Sequence, residues 1–230
     1  MARLSRLYAP GTIQLVQAKF ARTLAADHDP TPVAELERLN TWLHLEAAVP
    51  AVALHAWVLM TDRLVLLATP ENPSVLPRLV QGMGRRIAAG MVHGRVFEGR
   101  YRSALIQSQW LLDCMVWTET LPVQTGAVDT AHQWPWSSAR AHIGLAPDTG
   151  LLKDHIDYWN LGDTPYARQA QYSERLEAGL PPARRRRIEL ALHGQWALGD
   201  DEFLQELSAK GARRVAPAPR GRPRKLAVTK

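Results

Sequence analysis

Apolar and polar positions along the first 120 residues follow two rhythms. Residues 12–20 (TIQLVQAKF) alternate every second position, the pattern of a half-buried strand. Pro30 and Pro32 then introduce a helix in which Val33, Leu36, Leu39, Leu43 and Ala47 recur at helical spacing, until Pro50 closes it. Residues 51–60 (AVALHAWVLM) and 64–68 (LVLLA) are apolar runs of strand length, joined by the turn Thr61-Asp62-Arg63. Pro73 opens a second helix with Val75, Leu79, Gly82, Met83 and Ile87 along one stripe. Residues 101–106 read as a fourth strand, and 110–120 as a helix ended by Pro122. The order β-α-β-β-α-β, followed by a helix, predicts an α+β domain. Its expected topology is the ferredoxin-like split βαβ, an antiparallel sheet with helices on one face.

Beyond Trp134 the pattern turns helical and less compact. Residues 183–192 and 200–207 are expected as short helices, separated by His193-Gly194 and Gly199. From Gly211 onward Pro, Arg and Gly dominate, a composition that does not build a packed fold. The expected organisation is a domain at 1–145, a helical extension at 146–210 and a disordered basic tail at 211–230.

Composition narrows the class. The chain has 230 residues, 46% of them hydrophobic, enough for a sizeable core. No run of about 18 apolar residues appears, and the segment after Arg3 and Arg6 does not build a signal peptide. A single cysteine, Cys114, excludes an intramolecular disulfide and a cysteine-cluster metal site. A soluble protein of the cytoplasm, without a membrane partner, is expected. The net charge of +6 is unevenly placed: Arg213, Arg214, Arg220, Arg222, Arg224, Lys225 and Lys230 lie in the last 20 residues with no acidic residue. The other 21 basic residues face 22 acidic ones. A nearly neutral body with a polyanion-binding tail points to DNA and association with the nucleoid.

Four stretches carry a likeness to a known family. They are Tyr8-Ala9-Pro10-Gly11, then residues 51–67 (AVALHAWVLMTDRLVLL), then FEGRYRS at 97–103 with WLLDCMVWTETLPVQTGAV at 110–128, and WPWSSARAHIG at 134–144. In this order they resemble the REP-associated tyrosine transposases of bacteria, single-tyrosine enzymes of the HUH superfamily. The resemblance covers roughly residues 6 to 145. It implies DNA transposition on single-stranded hairpin or palindromic repeats. In such chemistry a His-hydrophobic-His pair on a strand binds Mg²⁺ or Mn²⁺, and a helix tyrosine attacks the phosphorus to form a phosphotyrosine.

The positions implied for that chemistry hold other residues here. The histidine pair falls on Arg63 and Val65, a permanent cation and an alkyl group that cannot ligate a metal. The nucleophile falls on Trp117, which has no nucleophilic oxygen; the family's asparagine falls on Leu121 and a nearby histidine on Glu119. A catalytically degenerate, metal-free pseudo-enzyme is therefore expected. The alternative is an active single-strand transposase using displaced residues, with Tyr101 as the replacement nucleophile. Another is a scaffold that binds protein while the tail holds it on DNA. His55 reads as a core-edge histidine and Cys114 as a small core residue.

Candidate DNA contacts fall into two groups. In the body they are Arg85, Arg86, Arg100, Tyr101 and Arg102, with the run 184–187 divided between a solvated helix face and phosphate contact. In the tail they are Arg213 and Arg214, then Arg220-Gly221-Arg222-Pro223 with Arg224 and Lys225, the core of an AT-hook. Gly221 lets the backbone lie on the floor of a narrow A/T-rich minor groove, and Pro223 keeps the segment extended. Arg220 and Arg222 then meet the negative potential of that groove. Trp134 and Trp136 are expected to staple a loop to the core. A homodimer is compatible with the neutral body.

Overall fold

The computed structural model describes residues 5–48, 52–91, 94–147, 149–211 and 213–217. Pro50, the expected close of the first helix, and Ala51, the expected start of the next strand, lie outside them, as does the segment expected to form an AT-hook. The first elements are β1 (Ile13–Lys19), α1 (Val33–Ala47), β2 (Val52–Leu59), β3 (Arg63–Pro70), α2 (Val75–Gly90) and β4 (Arg102–Ile106). The strands stand in the order β2-β3-β1-β4 and every neighbouring pair is antiparallel, the ferredoxin-like arrangement. A two-residue strand, β5 (Ala197–Leu198), extends the sheet by pairing parallel to β4, so the sheet is mixed.

The strands are buried on both faces. Six consecutive residues of β1 are buried, Gln14 and Gln17 among them, where the sequence suggested a polar, solvated side. Because successive side chains point to opposite faces, this requires a layer on each. Trp57 of β2 meets His44 of α1, with ring centroids 6.0 Å apart. The opposite face receives α3 (Leu111–Glu119) and a later helix, α8 (Pro182–Gly194); α3 packs on β2 and β3, and α8 on β4. Helices on one face only was the expectation; α3 of the domain and α8 of the extension together form a second layer.

Between α3 and α8 come α4 (Leu121–Gln124), α5 (Ala139–His142), α6 (Ile156–Trp159) and α7 (Pro165–Ala178). Pro122 sits in the first turn of α4, where its missing N–H costs nothing, so it ends one helix by starting the next. The tryptophan segment docks on the free edge of β2. The Leu59 N–H donates to the Trp136 carbonyl at 2.8 Å, Ser137 bridges to Val58, and the Trp134 indole donates to the Leu59 carbonyl at 2.9 Å. That covers an edge otherwise open to strand pairing.

A buried carboxylate joins the domain to its extension. Glu119, at the end of α3, is fully buried and accepts from Ser138 Oγ, from His142 Nδ1 at 2.6 Å and from the Tyr172 hydroxyl at 2.7 Å. Three donors satisfy a charge that burial would otherwise make expensive. The last helix, α9 (Asp201–Lys210), is capped by Asp200, whose side chain accepts from the Phe203 N–H at 2.9 Å. A second apolar cluster gathers Leu7, Leu105, Ala197, Leu207 and Val215. Val215 is buried, and its carbonyl accepts from the Ala197 N–H at 2.8 Å. Packing against the body is thus seen as far as Val215, past the boundary expected at 211.

Candidate nucleic-acid interface

Register places five side chains on the sheet face covered by α3 and α8. Lys19 stands opposite Arg63, Gln17 opposite Val65, and Arg102 beside Gln17 on the next strand. Directly paired residues share a face, so these side chains form two adjacent rows across β3, β1 and β4. The rows include both positions that the family resemblance assigns to a metal pair. Val65 is fully buried, and Arg63 is folded onto its neighbour, donating to both Asp62 carboxylate oxygens at 2.8 and 2.6 Å. An alkyl group beside a paired guanidinium does not fit a divalent cation. Among the described residues, no group of three or more His, Cys, Asp or Glu could hold a metal ion.

Trp117 is 3% exposed, and its Nε1 finds no hydrogen-bond partner among the described residues. It fills the core between helix and sheet as a large ring. Cys114, one turn earlier, is fully buried, and burial pushes its thiol well above its usual range.

At the rim of this face the charges are free to meet solvent. A cleft of 180 Å³ is lined by Gln17, Lys19, Glu98, Gly99, Arg100 and Arg102. Among the described residues its one carboxylate, Glu98, lies 3.7 Å from Lys19, leaving Arg100 and Arg102 as the cations in excess. Arg102 also touches His193 of α8. The arginine run on α8 is divided: Arg184 pairs with Asp113 and, with Arg187, lies over the Trp110 ring, whereas Arg185 stands 3.9 Å from Glu189.

The other residues singled out by sequence occupy different places. Arg86 is bound to Glu46 at 2.7 Å. Arg85 is exposed on α2, and Tyr101 is buried, 7% exposed, beneath the guanidinium of Arg6 at 3.5 Å. Burial raises the Tyr101 hydroxyl above its ordinary range, against the pull of Arg6 and Arg100. Tyr101 lines a cavity with α2 residues, away from the rows holding Arg63 and Val65. Arg213 is used inside the protein: it donates to the carbonyls of Ser5 at 2.7 Å and Gln195, and lies over the Trp196 ring. Arg214 is exposed. Arg220, Gly221, Arg222, Pro223, Arg224 and Lys225 lie outside the described residues. Sequence reasoning passed over Lys19 and Arg6, because neither sits in a cluster; only strand register and burial reveal them.

These features define a ferredoxin-like α+β protein with a basic cleft at the end of its sheet. Among solved structures it is similar to a REP-associated tyrosine transposase bound to a REP hairpin. The two are 16% identical, the match covers 64% of this chain and 89% of that one, and the TM-score is 0.52. Likeness at that identity fixes the fold. No protein-family model matches the sequence, and no curated protein does. Among the described residues no helix is long and apolar enough to cross a membrane.

Proposed function

We propose that this chain binds DNA hairpins or palindromic repeats on a transposase-like domain and does not cut them. The observation that carries this reading is the basic cleft of Lys19, Arg100 and Arg102, on the same sheet face as Arg63 and Val65. Phosphates need cations that are not already paired, and Arg100 and Arg102 outnumber the one carboxylate there. Cleavage by the family's route would need a metal and a tyrosine where Val65 and Trp117 stand, both buried and neither able to serve. The hairpin-bound neighbour supports the choice of DNA as partner.

The tail adds a second grip with a preference for A/T-rich DNA, Arg220 and Arg222 entering the minor groove. Because Arg213 and Val215 pack against the body, the test removes residues 218–230 only. Five cations go with them: Arg220, Arg222, Arg224, Lys225 and Lys230. The log–log dependence of duplex affinity on salt should flatten by about four units, at roughly 0.9 per phosphate contact. Hairpin binding should persist in the shortened chain, and an unchanged salt slope would exclude the tail as the electrostatic anchor.

A further inference from the structure

A larger cavity, 610 Å³, opens between α2 and the segment leading into β4. Arg6, Arg85 and Arg100 reach it from three separate parts of the chain, and among the described residues no carboxylate lines it. Arg6 is fixed in place: its guanidinium lies 3.5 Å over the Tyr101 ring and donates to the Tyr101 carbonyl at 3.4 Å. Burial, and the charge of Arg100, hold that guanidinium below its ordinary pKa range. Like charges brought together without a counter-ion are unfavourable unless an anion joins them. The rest of the lining is largely apolar and includes Val80 and Phe97, with Gln81 as a neutral polar side chain. Gly84 lets α2 approach this wall, since a Cβ there would stand 3.0 Å from the Phe97 ring.

We propose that this cavity binds a nucleotide, its phosphate held by Arg6, Arg85 and Arg100 and its base laid on the Val80–Phe97 wall. The volume falls in the range of small-ligand sites, and Gln81 can donate to and accept from a base edge. Arg100 also lines the cleft beside Lys19 and Arg102, so the two basic surfaces join around the end of the sheet. A strand leaving that cleft can pass Gly99 and enter the cavity. The proposal deepens the DNA-binding reading and rests on it where the nucleotide comes from DNA; a free nucleotide is the other source of the same chemistry.

The test uses the full chain. Deoxyadenosine monophosphate, inorganic phosphate and deoxyadenosine are titrated by calorimetry, and a blunt hairpin and one with a four-nucleotide unpaired extension are compared by anisotropy. The monophosphate should saturate one site and bind more tightly than phosphate or nucleoside. Arg85→Ala and Arg100→Ala should each weaken it about tenfold, as loss of a charge-assisted contact does. Ala88→Glu places a carboxylate on an exposed helix position lining the cavity and should abolish it. If the source is DNA, the extended hairpin binds more tightly than the blunt one. Ala88→Glu then removes that gain and leaves the blunt hairpin's affinity alone. Saturable monophosphate binding with no gain from the extension supports the site and assigns it to free nucleotides. Neither monophosphate binding nor a gain overturns the proposal, whereas failure of the blunt hairpin to bind overturns the DNA reading separately.

Discussion

His55 is buried with a partner for each ring nitrogen. Its Nδ1–H donates to the Lys153 carbonyl at 2.7 Å, leaving Nε2 to accept from Thr69 Oγ1 at 2.9 Å. Both partners fit the neutral ring. Burial, aided by the nearby His155 and His142, lowers its pKa from 6.5 to about 4. The unfolded chain therefore binds this proton at higher pH than the folded one. Its contribution is complete above about pH 6.5 and is lost as pH falls toward 4, by about 3 kcal/mol in all. His55→Gln should show a shallower fall in unfolding midpoint over that window than the native chain, measured by chemical denaturation; parallel curves would remove His55 from the acid sensitivity. That His55 belongs to the core edge was legible from its place in an apolar strand. Its bond to Lys153 was not, because 98 residues separate the two. Arg63, Val65 and Trp117 were legible by type, and the structure adds that Asp62 ties up the first while burial closes over the other two.

Among the elements, α5, α6 and α7 are gathered around one side chain. Glu119 of α3 holds His142 of α5 and Tyr172 of α7, and the Tyr158 hydroxyl of α6 donates to the His142 carbonyl at 2.7 Å. Glu119→Leu takes away the acceptor shared by Ser138, His142 and Tyr172 inside the core and should destabilise the fold by about 3–5 kcal/mol in denaturant unfolding. Limited proteolysis should then cut first in the extension; an effect below about 1 kcal/mol would mean that the network is dispensable. The sequence placed β1–β4, α1, α2 and α3 through clear periodicity. It did not place α7, although Thr164 and Pro165 form a helix-start signal, with the Thr164 side chain accepting from the Ala167 N–H at 3.1 Å. The apolar face of α7 is narrow, Tyr172 and Leu176 among polar residues, so periodicity was weak. β5 has two residues, too short for any pattern to register.

At the scale of the molecule, the split βαβ order followed from the alternation of rhythms, whereas the second helical layer is α3 completed by α8 of the extension, whose docking site is built by tertiary contacts alone. The same layer leaves one end of the sheet open, where the basic cleft and the three-arginine cavity meet at Arg100. Binding without cutting is the central claim, and one gel measures both halves. Full-length protein is mixed with a labelled single-stranded hairpin and Mg²⁺ or Mn²⁺, and equal samples are run native and denaturing. A retarded complex on the native gel with no covalent adduct on the denaturing one is the expected result. An adduct formed by the native chain, or no complex with any hairpin, would contradict it.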